Sequence, residues 1–294
     1  MRKRIAVAAL SLPLALPLAL AACESAALPP QARYVAMGSS FAAGPGVTVP
    51  ADSPSTRCSR SADNYAHQLA RRRNLALTDV SCGGATTAHV LGPWNELPAQ
   101  IDALSPDTAL VTITIGGNDI GFIGGLMAAS CEGEAAQAAA AMCRGLRART
   151  ASGSADARGT EPSEEAWRSL ESALERIAAQ VRVRAPGARL VFVDYVALLP
   201  AGEPCAQTPL SAQAIATARA KAARLSELTA RAATKAGARV LRASMLSRGH
   251  DACSAQPWAT GFVPPAGATD FVPYHPTLAG MTGIAAALDQ LLER

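Results

Sequence analysis

Five short apolar runs rich in β-branched residues punctuate the chain: Tyr34 to Met37, Leu75 to Val80, Ala109 to Ile115, Arg189 to Val193 and Ala238 to Leu241. Helical patterns lie between most of them. Continuous apolar runs of this length read as strands buried on both faces, and their alternation with helices predicts a parallel sheet with helices on both sides. Two helices are legible in detail. Trp167, Leu170, Leu174, Ile177 and Val181 recur at helical spacing behind Ser163 and the Glu164/Glu165 pair, and Pro186 with Gly187 closes the stretch. A second helix is predicted from about Ser211 to Ala236, with Ile215, Ala218, Ala222, Leu225 and Ala232 on one side and Gly237 as its stop. Both stripes read as core faces.

With 294 residues and 49% hydrophobic content, the chain can bury a large core, and it carries no internal repeat or heptad pattern. The first 22 residues are set apart from it. Met1 to Arg4 supply a basic start, and a short apolar run interrupted by two prolines follows, the pattern of an export signal. That run ends in Leu20-Ala21-Ala22-Cys23, which resembles a bacterial lipobox. The expectation is a lipid on Cys23, a linker over 23–32, a single domain over 33–294 and a cell-envelope location, with the outer membrane or cell surface favoured. Removing Arg2, Lys3 and Arg4 leaves 24 basic against 23 acidic residues, a balance that excludes a nucleic-acid reading. The basic run Arg71 to Arg73 reads as the C-terminal turn of a helix, where cations complement the dipole.

Six of the seven cysteines remain after Cys23, an even count that favours disulfides in an exported chain. The predicted pairing is sequential: Cys58 with Cys82, Cys131 with Cys143, and Cys205 with Cys253. No CxxC or HxxxH spacing supports a zinc site. The Ser-, Gly- and charge-rich segment at about 132–162 reads as a flexible insertion.

In open parallel sheets, ligands bind beyond the carboxyl ends of the strands, so the loops that follow strands carry the chemistry. Four stand out: GSSFAAG after the first strand, SCGGATTAH at Ser81 to His89, IGGNDIGF at Ile115 to Phe122, and DFVPYHPTLAG at Asp270 to Gly280. They hold the parts that ester hydrolysis needs. A serine in a tight strand-to-helix turn exposes its hydroxyl and its backbone N–H, a glycine such as Gly84 offers a bare N–H, and Asn118 supplies a neutral side-chain donor.

This ordered set resembles the SGNH hydrolases, also called GDSL esterases and lipases. Arg60 to Ala70, Asp79 to Ala88, Val111 to Phe122 and Gly249 to Trp258 are similar to the disulfide-containing secreted bacterial members. The resemblance covers nearly all of the mature chain except the insertion. It implies a three-layer α/β/α fold of flavodoxin-like type and a carboxylic ester hydrolase without cofactor or metal. It also implies Ser40 as nucleophile, His275 as base, and an oxyanion hole built from Gly84, Asn118 and the Ser40 amide. Two positions depart from the family pattern. Ser39 stands where the family usually has aspartate, so that Ser39 remains a second candidate nucleophile. Val272 stands where an aspartate usually precedes the histidine, so the Val272 carbonyl is expected to orient His275, with Asp270 as the alternative.

His67, His89 and His250 compete for the base. His67 reads as a helix residue, His89 as a cleft-rim residue and His250 as part of a disulfide loop. Asp119 and Asp194 read as structural, Thr86 and Thr87 as helix caps, and Trp94 as a candidate pocket wall. The expected partners are an ester or lipid substrate and a membrane reached through the lipid, with the protein a monomer. Alternatives are a carbohydrate or cell-envelope O-acetylesterase, or a catalytically weak binding lipoprotein.

Overall fold

A computed structural model describes residues 27–132, 161–264 and 271–293, with 140, 143–145, 148 and 267 as isolated positions. The signal segment, Cys23, Asp270 and most of the 132–162 insertion lie outside the described residues. Among them, five strands, β1 (Arg33–Gly38), β2 (Ala76–Asp79), β3 (Thr108–Thr114), β4 (Arg189–Val193) and β5 (Arg239–Leu241), form one parallel sheet in the order β2-β1-β3-β4-β5.

The helices are α1 (Ser40–Ala43), α2 (Tyr65–Arg73), α3 (Thr87–Leu91), α4 (Phe122–Ser130), α5 (Glu164–Arg184), α6 (Ala212–Lys235), α7 (Ala243–Leu246) and α8 (Leu278–Leu292). They form two groups. α2 packs against α8, while α5 packs against α6 with α3 and α4 beside them, so the sheet is covered on both sides. Tyr34, Val35, Met37, Leu110, Val111, Ile113 and Val191 are fully buried, as strands sandwiched between helices require. The predicted stripes on α5 and α6 face this core, with Leu174 and Ile177 fully buried.

Local chemistry sets the helix starts. Ser163, Ser211 and Thr277 each accept a backbone N–H of the first turn, at 3.1, 3.1 and 3.2 Å. α5 and α6 run parallel, and Glu164–Arg224, Glu171–Arg231 and Glu175–Lys235 cross between them at the constant sequence offset of 60. Such exposed pairs contribute under about 1 kcal/mol each, so the buried stripe and not the ladder holds these helices together. Arg73 does more than complement the α2 dipole, since its Nε meets Asp289 of α8 at 2.5 Å and fixes the α2–α8 packing.

Disulfides join Cys58 to Cys82, Cys131 to Cys143 and Cys205 to Cys253. The first ties the loop after α1 to the loop after β2.

Candidate active site

β1 and β3 are neighbours at the centre of the sheet, and the helices that follow them leave on opposite sides, which opens a crevice beyond their carboxyl ends. Ser40 begins α1 there, buried to 8% exposure. Its Oγ lies 2.8 Å from Nε2 of His275, 235 residues away in sequence. Gln100 clamps Gly38 beneath the turn, its Oε1 accepting the Gly38 N–H at 2.7 Å and its Nε2 donating to the Gly38 carbonyl at 3.0 Å.

The His275 ring is held from behind. Its Nδ1 lies 2.7 Å from the Pro273 carbonyl, which places the Nδ1 proton on that bond and leaves Nε2 as an acceptor toward Ser40. The Val272 carbonyl does not orient His275: it accepts the Thr260 hydroxyl at 2.7 Å instead. The reason is the backbone of Tyr274, which is left-handed at φ 55° and folds the chain so that the carbonyl two residues before the histidine faces the ring. Thr260 locks that turn, accepting the His275 N–H at 3.0 Å through its hydroxyl and donating its own N–H to the His275 carbonyl at 2.8 Å. Tyr274 is fully buried with its hydroxyl 2.7 Å from Ser130 Oγ. Burial pulls the His275 pKa down to about 4, and the Pro273 bond only partly opposes this. The imidazole is therefore neutral at ordinary pH and ready to take a proton.

Across the crevice stand the groups that can bind a negative oxygen. Among the described residues, the Ser40 and Gly84 N–H groups donate to no protein acceptor. Gly84 is exposed and left-handed at φ 82°, a conformation that strains any side chain. Asn118 Nδ2 spends one proton on the Ala85 carbonyl at 2.9 Å, which keeps its amide beside Gly84 with a second proton in hand. Asp119 stitches the same two loops together, accepting the Thr87 N–H at 3.1 Å and the Thr87 hydroxyl. Burial raises the Asp119 pKa despite these donors.

The chain matches known proteins over most of its length. A model of the GDSL-like lipase/acylhydrolase family matches residues 36–282. The chain belongs to that family. Lipase 2 of Streptomyces coelicolor is 36% identical over 256 residues, covering 85% of this chain and 82% of that protein. Two solved structures superpose with a TM-score of 0.68. One is phospholipase A1 from Streptomyces albidoflavus NA297, 28% identical and covering 88% of this chain and 99% of that one. The other is an extracellular lipase from Streptomyces rimosus, 30% identical and covering 88% and 98%. This GDSL-like acylhydrolase is thus an ester hydrolase built on a parallel five-stranded α/β fold.

In this family member the hydroxyl of Ser39 turns away from His275 into the core. Ser39 is 1% exposed, makes no cap to α1, and lies 3.3 Å from the Tyr195 hydroxyl. The other histidines are engaged elsewhere. His67 faces Asp79 at 3.5 Å, and His250 stacks on Trp258 and bonds the Gln256 carbonyl through Nδ1. His89 stands at the rim, stacked on Trp94 with ring centroids 4.0 Å apart and accepting the Thr86 N–H at 3.0 Å. The Trp94 ring also carries Arg57 at 4.0 Å and reaches the face of Gly84, where a Cβ on the glycine would lie 3.4 Å from it. Asp194 is structural, bonded to Ser226 and Ser244. Sequence reasoning passed over Gln100 and Tyr195. Tyr195 carried a signal, since it follows β4 directly and so sits where strand ends meet the crevice.

Proposed function

We propose that this acylhydrolase cleaves carboxylic esters through an acyl-enzyme on Ser40, with His275 as general base and acid. The Ser40 proton passes to Nε2 as Oγ attacks the ester carbonyl, and the resulting oxyanion is received by the Ser40 and Gly84 N–H groups and the free amide proton of Asn118. Collapse expels the alcohol, which takes the proton back from Nε2. Water then enters and attacks the acyl carbonyl as its proton passes to Nε2; the bond to Ser40 Oγ breaks, Oγ takes that proton back, and the acid is released. The observation that carries this reading is the 2.8 Å Ser40–His275 contact on a ring whose other nitrogen is held by Pro273. The names of the relatives, lipase and phospholipase A1, support acyl esters of lipids as the substrate class.

The lipobox-like ending at Cys23 supports a protein that is exported and acylated on that cysteine in the cell envelope. The chain is already docked at Gln31, whose N–H meets the Asn74 carbonyl at 2.6 Å, and it enters β1 at the end of the sheet opposite Ser40. Cys23→Ser should move the protein from the membrane fraction to the soluble one, and unchanged partitioning would remove the anchor from this reading.

The test of the chemistry is hydrolysis of p-nitrophenyl acetate, butyrate and a long-chain ester by wild type, Ser40→Ala and Ser39→Ala. Ser40→Ala should be inert on all three and resist a serine-directed organophosphate, while Ser39→Ala keeps measurable turnover. Wild-type-like turnover by Ser40→Ala would reject the assignment.

A further inference from the structure

We propose that Tyr195 is a positioning residue that fixes the nucleophile turn and the Asn118 turn to one another. The proposal rests on the reaction assigned above to Ser40 and Asn118. Its hydroxyl oxygen accepts the Gly117 N–H at 2.8 Å and lies 3.3 Å from Ser39 Oγ. Ser39 Oγ in turn approaches the Thr114 carbonyl at 3.5 Å. One assignment of protons satisfies all three contacts: Gly117 N–H donates to Tyr195, Tyr195 donates to Ser39, and Ser39 donates to Thr114. The ring engages the same two turns a second time. It packs on Phe41 with centroids 4.5 Å apart and meets Phe122 edge-on at 6.1 Å. Ser39 and Phe41 are the two chain neighbours of Ser40, and Gly117 is the neighbour of Asn118.

The need for such a clamp follows from the elements themselves. α1 has four residues, too short to hold its own geometry, and its N-cap Ser39 makes no side-chain cap bond. The direction of Ser40 is therefore set by what flanks it. Gly117 is equally committed, since a Cβ there would lie 2.7 Å from the Tyr195 hydroxyl. Tyr195 is buried at 6% exposure, and burial raises its pKa to about 12, so it stays a neutral donor across the working range. Its hydroxyl is engaged by Gly117 and Ser39, the chain neighbours of Asn118 and Ser40. Its influence acts through the alignment of Ser40 with the oxyanion donors, on which rate depends far more than substrate affinity does.

Tyr195→Phe removes one oxygen and keeps the ring packing. The expected result with p-nitrophenyl butyrate is a fall in kcat of about tenfold or more with KM held within about twofold. Ser39→Ala should lower kcat in the same direction, and the double variant should be no slower than Tyr195→Phe alone, because both changes break one chain. An unchanged kcat in Tyr195→Phe, a loss that appears in KM, or losses that multiply in the double variant would each overturn the proposal. If Tyr195→Phe does not fold, Ser39→Ala decides by itself, and an unchanged kcat there overturns it. Ser40→Ala measured alongside separates the two levels. Turnover by Ser40→Ala defeats the reaction assigned to this site, whereas an inert Ser40→Ala with a fully active Tyr195→Phe defeats only the clamp.

Discussion

The low pKa of His275 has consequences for both rate and stability. An unhindered imidazole titrates at 6.5, and burial brings His275 to about 4. The shift corresponds to about 3 kcal/mol of free energy between the two protonation states, at 1.36 kcal/mol for each pH unit. In the folded protein the ring is neutral at every pH above about 5, so kcat/KM for a neutral ester should stay flat down to that region. Activity should halve by about pH 4 and below that fall about tenfold for each pH unit as Nε2 is occupied by a proton. The stability effect has a definite sign. Between pH 6.5 and 4 the unfolded chain binds a proton at this residue that the folded one refuses, so acidification favours unfolding. From pH 7 to pH 5 this one residue should cost about 2 kcal/mol. The assay is urea unfolding of wild type and His275→Gln at both pH values, with the difference between their pH slopes isolating His275 from the carboxylates. An acid limb of kcat/KM near 6.5, or equal pH slopes for the two proteins, would refute the reasoning.

Three further outcomes follow from the same geometry. Asp270→Ala should leave kcat within about threefold of wild type in ester hydrolysis, because the Pro273 carbonyl already holds Nδ1; a loss matching that of His275→Ala would assign Asp270 the orienting role. Asn118→Ala should lower kcat by about 100-fold or more with a much smaller change in KM, the cost of one oxyanion donor. Joint replacement of Cys58 and Cys82 by alanine should cost about 3 kcal/mol in urea unfolding, from release of a loop with a sequence separation of 24. It should also lower kcat, because Gly83 beside the oxyanion glycine is held by the Cys58 carbonyl at 2.9 Å.

The sheet was legible because a parallel strand buried on both faces must be apolar along its buried length, and Tyr34 to Met37 and Leu190 to Val193 show this directly. The strand ends were less so. β2 runs only from Ala76 to Asp79, shorter at both ends than the apolar run Leu75 to Val80, although the Val80 N–H still reaches the Ala36 carbonyl of β1 at 2.9 Å. Gly84 and Asn118 were legible as residue types placed after strands, a bare amide and a neutral donor, whereas the choice of Ser40 over Ser39 and of His275 as base came from the family resemblance. The carbonyl behind His275 was not legible. It depends on the left-handed turn at Tyr274, a bulky residue in which no sequence pattern announces a positive φ. Tyr195 was hidden for a different reason: its partners, Ser39 and Gly117, lie 156 and 78 residues away, and only the assembled sheet brings the three together.

A carbonyl behind the histidine changes how the work of the site is divided. A carboxylate both orients the ring and stabilises the imidazolium that forms as Ser40 attacks, whereas the Pro273 carbonyl orients it with only a partial charge. With burial opposing protonation as well, the imidazolium must draw its stabilisation from the negative oxygen created in the same step. That attraction is large only at short range in a water-poor crevice, and in the proposed reaction it needs the oxyanion held in a fixed place by Gly84, Asn118 and the Ser40 amide. A site with this base therefore depends more heavily on the rigidity of its oxyanion donors than one backed by a carboxylate. The doubled stitching of Ala85 and Thr87 to Asn118 and Asp119, and the Tyr195 contacts to Ser39 and Gly117, supply that rigidity where the chain would otherwise be short turns.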